Sequence, residues 1–251
     1  MNEKDAKTVS VQNFRIALLL AVAGTIAVLL LMPYLFAVMP QLAAKIPLPL
    51  RAFAVVQSLQ VGVLLLLLGW TGLRLGYAYG LDAPLLRNRL HAGPRRTVSS
   101  RWATSIALGI AVGVVVVLLA HALMLTSSEP TWWKGLLASF YGGIVEEALL
   151  RLFMVSLLVW LGARLLRVAT PGAGTYWTAI VLAAIIFGVG HLPAQAQTTA
   201  LTTTAVLRTI GLNALGGIAF GWLFWRRGLE HAMLAHFSAD LVLHVAAPAF
   251  G

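Results

Sequence analysis

The sequence predicts an all-α protein, a polytopic bundle of seven to eight membrane-spanning helices. Three observations carry this. The 251 residues are 60% hydrophobic and 10% charged, against about 25% charged in an ordinary soluble domain. The apolar residues fall in runs of roughly 20, the length that crosses about 30 Å of hydrocarbon at a helical rise of about 1.5 Å per residue. Connections rich in Pro, Gly and Arg part the runs. The length suits one bundle rather than two separate domains.

Span one covers residues 14–39, and Pro40 closes it. The polar segment before it, MNEKDAKTVSVQNFR, has no A-x-A-like cleavage site, so the run reads as an uncleaved span. A connection with Pro40, Pro47 and Pro49 leads to span two, residues 52–73. Residues 74–101 form a basic loop with Arg74, Arg87, Arg89, Arg95, Arg96, Arg101 and His91. Such a loop either orients the chain or faces anionic lipid, and orientation is the simpler reading. Span three is 102–125, followed by the turn TSSEP. The apolar stretch 131–166 comes next, and Gly142-Gly143 divides it into a short surface helix and a true span. PGAGT from Pro171 is a break, and span five is 176–191. LPAQAQTTALTTT interrupts the apolar pattern before span six, 205–225, and span seven, 229–247. There is no internal repeat.

The net charge of +10 would suggest nucleic acid in a soluble protein. Here the basic residues lie between apolar runs, with no interleaved basic and aromatic patch, so the sequence implies no nucleic-acid partner. The N-terminal tail and the loops after spans two, four and six carry 13 Lys and Arg. The other side carries four, Lys45, Arg51, Lys134 and Arg208. The N-terminus is therefore expected in the cytoplasm, and the protein in a cell membrane, a bacterial inner membrane by character. Cysteine is absent, which excludes disulfides, Cys-ligated zinc, iron–sulfur clusters and thiol nucleophiles.

Few ionisable residues remain within the spans: Glu146, Glu147, Arg151, His191, Arg208, Glu230, His231, His236, Asp240 and His244, with His121 near the end of span three. Almost all fall after residue 131. Residues 1–131 therefore read as scaffold spans with the cytoplasmic loop 74–101, and residues 132–251 as the bundle that bears the site. A charge at the bilayer centre costs about 2.5–3.5 kcal/mol on insertion scales, so three in YGGIVEEALLRLF (141–153) need partners. Glu147 and Arg151 are i,i+4 and can pair. Glu146 is turned about 100° from Glu147 and is left available, as a general base if desolvation raises its affinity for protons. His191 ends span five. His236 and Asp240 share one face of span seven, where the carboxylate can orient the histidine. Glu230 and His231 read as interfacial residues, and His244 as interfacial or structural. Glu146, His191, His236 and Asp240 on three helices can activate water directly, or hold one divalent metal, zinc first by ligand type, as in a metalloprotease.

EEALLR (146–151), FGVGH (187–191) and HFSAD (236–240) follow the E-E-x-x-x-R, F-x-x-x-H and H-x-x-x-N/D order of the CAAX-type intramembrane proteases, a group also called CPBP. This chain resembles that family over residues 132–247. The family includes Abi-like relatives tied to bacteriocin processing and immunity. The resemblance implies a peptide-bond hydrolase acting on a peptide or protein at the lipid bilayer. Glu146 and His191 would activate water, His236 and Asp240 would stabilise the oxyanion or complete the polar centre, and Glu147 and Arg151 would hold Glu146. The absence of H-E-x-x-H favours a glutamate mechanism over a metal one. Two departures stand out. Leu150-Arg151-Leu152 replaces the frequent Phe-Arg-Gly. Asp240 stands where many members carry Asn, and a charged Asp is a poor oxyanion donor.

A non-proteolytic immunity or scaffold member of the fold, and a proton-coupled transporter using the same residues, are the rival readings. The lack of repeat symmetry and of matched broken helices weighs against transport. Simple helix rise places His236 about 12 Å from the cytoplasmic side and His191 at the far side. Their convergence therefore requires a displaced span five, a re-entrant 193–205 stretch, or a different count.

Overall fold

In the computed structural model of the chain, the described residues are 3–90, 97–123 and 131–250. His91, Arg95 and Arg96 of the basic loop and the TSSEP turn lie outside them. The described residues are helical with short connections and contain no strand.

Helix α1 (Glu3–Val38) runs past the expected start of span one and carries Pro33 within it. The short α2 (Pro40–Lys45) and Pro49 lead into α3 (Leu50–Gly76). A 3₁₀ turn at Tyr77–Tyr79 and Gly80, at φ 77°, reverse the chain toward α4 (Pro84–Arg89). Helix α5 spans Trp102–Ala122. The next helical run begins with α6 (Trp132–Phe140), passes through π-wound turns at Tyr141–Glu146 and Ala148–Val155, and ends in α7 (Ser156–Leu165). Then come α8 (Ala173–Gly190), α9 (Leu192–Thr198), α10 (Thr203–Arg227) and α11 (Leu229–Leu241). A π turn at Val242–Ala246 and α12 (Ala247–Phe250) complete the described chain.

Among the described residues, five helical segments are long and apolar enough to cross a membrane: Val9–Val38, Leu50–Tyr79, Trp102–Ala122, Ala173–Thr198 and Thr203–Arg227. The expected count of seven to eight differs from this number by the two runs that carry charged motifs and π turns, 132–165 and 229–250. One further expectation is corrected. Gly142-Gly143 does not split the 131–166 stretch; helix continues through it, and only the winding widens from α to π. The polar 192–204 interruption is partly helical. Residues Leu192–Thr198 form a helical turn, and the Thr202 side chain caps α10 by accepting from the Ala205 N–H at 3.2 Å.

Close packing of small residues sets the spacing between helices. Helix α5 lies against α11 with Gly109 on the Ala235 carbonyl and Gly113 on that of Ala239. Between lipid-embedded helices van der Waals contact, not the hydrophobic effect, drives association, so backbones must meet closely. The core joins Ile16 and Leu20 of α1, Leu73 of α3, Leu152, Ile180 of α8, and Phe220 and Phe224 of α10. Large apolar side chains such as Leu59, Val63, Leu67 and Leu118 point outward, as a lipid-facing surface requires.

Gly109→Ala would place a Cβ against the Ala235 carbonyl, backbone on both sides, and overpacking of this kind costs about 1–3 kcal/mol. A lowered unfolding temperature of the detergent-solubilised protein is the expected outcome. Gly174→Ala, with nothing within 4 Å of the added carbon, leaves it unchanged.

Candidate active site

Glu146 and Glu147 sit where the two π turns meet. A π turn adds a residue to the helical repeat and is frequent at functional sites. Glu147 and Arg151 are fully buried, with Glu147 Oε1 3.1 Å from Arg151 Nη2. The same oxygen accepts a 2.8 Å hydrogen bond from His236 Nδ1. The Arg151 guanidinium lies over the rings of Phe187 and Phe220, at 5.2 and 5.9 Å from their centroids, a cation–π arrangement that offsets part of its desolvation.

His236 stacks on Phe220 with centroids 4.8 Å apart. Because Nδ1–H is donated to Glu147, its Nε2 is the atom left to face the centre. His191, at the end of α8, uses Nδ1 in the same way, donating to the Phe187 carbonyl at 2.9 Å, so its Nε2 also faces inward. Glu146 stands between them. Its Oε1 is 3.9 Å from His191 Nε2 and its Oε2 is 3.6 Å from His236 Nε2. Asp240 Oδ1 completes the group, 3.6 Å from His236 Nε2. Side-chain exposure falls from 35% at His191 and 18% at Glu146 to 7% at His236, so the centre opens on the Glu146–His191 side.

All four residues singled out by motif therefore come together, and the two supporting residues lie directly behind them. His191 and His236 do meet, at Glu146. Leu229, at the start of α11, is fully buried, and its N–H bonds the Asp82 carbonyl at 3.0 Å.

Other details differ from the sequence reading. Glu147, not Asp240, orients His236, because Asp240 sits at the Nε2 side beyond hydrogen-bond distance. His231, read as interfacial, is enclosed by protein. It is fully buried, between Ser105 Oγ at 2.7 Å from Nδ1 and the Ser99 carbonyl at 3.1 Å from Nε2. Glu230 accepts the Leu86 N–H at 2.9 Å. His244 meets the Tyr34 hydroxyl at 3.2 Å. Gly142 lets α11 approach, since a Cβ there would collide with Asp240 Oδ2 and come within 3.1 Å of His236 Nε2. The doublet was visible in sequence, although its partner was not. Phe220 gave no signal, being one apolar residue in an apolar span.

Glu146, His191, His236 and Asp240 are the residues that would hold a metal. Among the described residues, no group of three or more His, Asp and Glu side chains is arranged to hold an ion. Zinc requires several donors at about 2.0–2.2 Å from one point, and the site as placed does not form that set.

Residues 127–242 match the model of the family described as Rce1-like, type II CAAX prenyl endopeptidase. That region is similar to the CAAX endopeptidase family. No curated protein and no solved structure matches the chain. The matched region contains every residue of the centre, from Glu146 to Asp240, so the region of similarity and the buried polar cluster coincide. The apolar helices and the similarity to this family agree in pointing to a multi-pass membrane protein.

Removing one partner of a buried pair strands a charge and costs about 3–5 kcal/mol. Glu147→Ala strands Arg151 and frees His236 at once, so a loss of that size in denaturant unfolding is expected. Glu146→Gln, at a partly exposed side chain, should change stability by about 0.5 kcal/mol or less.

Proposed function

We propose that the protein is an intramembrane endopeptidase that cleaves a peptide bond of a membrane-associated peptide or protein, with or without a lipid modification, with Glu146 as general base. The observation that carries this reading is the placement of the Glu146 carboxylate 3.6–3.9 Å from two histidine Nε2 atoms whose Nδ1 positions are already committed. These gaps exceed a direct hydrogen bond and are of the size that one bridging water spans.

Glu146 takes a proton from a water held against His191 as the water oxygen attacks the carbonyl carbon. The oxyanion that forms accepts a hydrogen bond from the protonated His236 Nε2. Asp240 serves as counter-charge to that imidazolium rather than as an oxyanion donor. Glu146 then delivers the proton to the amide nitrogen as the C–N bond breaks, leaving a carboxylic acid and an amine. Glu147 fixes His236, and Arg151 fixes Glu147. A divalent metal, zinc first, would polarise the carbonyl and the water if bound. The steps above use the chain's residues alone.

The site helices 132–165 and 229–250 are read as two further spans beside the five apolar ones, giving seven. Residues 1–131 act as scaffold for residues 132–251. The charge bias supports a cytoplasmic N-terminus in a bacterial inner membrane.

Purified protein should cleave members of a library of membrane-tethered peptides, with and without a lipid group. Glu146→Gln and His191→Ala should each lower the rate at least about 10²-fold. Cleavage that persists in both variants overturns the site, and a wild type that cleaves nothing while its cellular role survives both changes shows a non-proteolytic scaffold.

Gly142→Ala should lower the rate comparably by displacing Asp240 and His236, with Glu146 intact. Activity should survive dialysis against a chelator. Loss restored by zinc would replace the glutamate mechanism by a metal one.

A further inference from the structure

A second polar feature lies outside the proposed centre. The start of α5 and the end of α10 meet at one end of the bundle. There, Ser99, Arg101, Trp222, Arg226 and Arg227 line a cavity of about 360 Å³. Three arginines thus line one opening, and the Arg226 guanidinium lies over the neighbouring Trp225 ring at 5.2 Å. Among the described residues, none of the three makes an ion pair with a carboxylate. Orientation in a membrane needs only a number of basic residues in a loop; it does not require that residues more than 120 positions apart share a wall.

The wall is also held in place. Arg227 Nη1 donates to Thr104 Oγ1 at 2.9 Å, tying α10 to the first turn of α5. Its guanidinium covers the Trp222 ring at 5.6 Å. The buried His231 secures the other side. A carbonyl can only accept, so His231 Nε2–H donates to Ser99 O, and Nδ1 accepts from the Ser105 hydroxyl. Trp102 stacks on the imidazole with centroids 3.9 Å apart and planes 5° from parallel. This buried histidine, which the proposed hydrolysis does not use, fixes the extended residues before α5. It thereby sets where Ser99 and Arg101 stand.

We propose that this cavity binds the phosphate group of an anionic phospholipid. The chemistry of the lining fits a phosphate. Arginine presents a planar fork of N–H donors suited to phosphate oxygens, and the Ser99 hydroxyl supplies a further polar contact. The location selects a lipid over a free anion, because tryptophan belongs at the membrane–water boundary and Trp222 belongs to a helix apolar enough to cross the membrane. Basic pockets between transmembrane helices at the cytoplasmic face are suited to lipid headgroups.

The full-length protein in detergent, titrated with short-chain phosphatidylglycerol and followed by tryptophan fluorescence, tests the site. Saturable binding is expected, weakened at least about tenfold in Arg101→Gln/Arg226→Gln, a variant that leaves the Arg227–Thr104 tie intact. Short-chain phosphatidylcholine should bind at least about tenfold more weakly than phosphatidylglycerol. Equal binding of the two lipids, or unchanged binding by the variant, overturns the proposal. Saturation by inorganic phosphate at the same concentrations overturns the lipid as source. The comparison of lipids on the wild type stands even if the double variant fails to fold.

Discussion

One carboxylate oxygen, Glu147 Oε1, meets Arg151 at 3.1 Å and His236 Nδ1 at 2.8 Å, and the arrangement of the centre depends on it. All three residues are buried, where an unpaired charge is severely penalised. The cluster therefore exists only with its members in place. Through His236 it reaches α11, and through Arg151 it reaches Phe187 on α8 and Phe220 on α10. Four helical elements are thus locked to one another around a group that does not itself face the opening. Glu146 is left without a direct hydrogen bond from either histidine.

The lock works because the backbones come close. Gly142 allows Asp240 and His236 to lie against the helix that carries Glu146, and Gly109 and Gly113 seat α11 on α5. A bundle spaced by larger side chains would hold the same ionisable residues too far apart to share protons. Small residues and charges are in this sense parts of one device. The first set the distances at which the second interact.

Much of this was legible in the sequence. The apolar runs announce membrane helices because each must satisfy its own backbone, and the charges within them announce a shared interior because isolation there is costly. The i,i+4 spacing of Glu147 and Arg151 gave their pairing. Spacing cannot reveal contacts made between helices. Whether Glu147 or Asp240 orients His236 depends on the rotation of α11 against the π-wound run, which no local pattern encodes. That His191 and His236 meet at Glu146 is likewise a contact between helices, which helix rise along each span does not give. Gly142-Gly143 was read by the usual equation of glycine with a break, whereas its service here is close approach.

The π winding has a consequence for how the chain tolerates change in length. Each such turn holds more residues than an α turn. A deletion of one residue between 141 and 155 can be absorbed by rewinding locally to α, so the bundle need not lose a helix. The flanking helix then keeps its rotation, but the residues inside the rewound turn are re-aimed. The scaffold is thus forgiving where the centre is not. Glu146 would rotate away from its histidines while the helix that carries it remained, and the register of this segment is bound to the site far more tightly than to the fold.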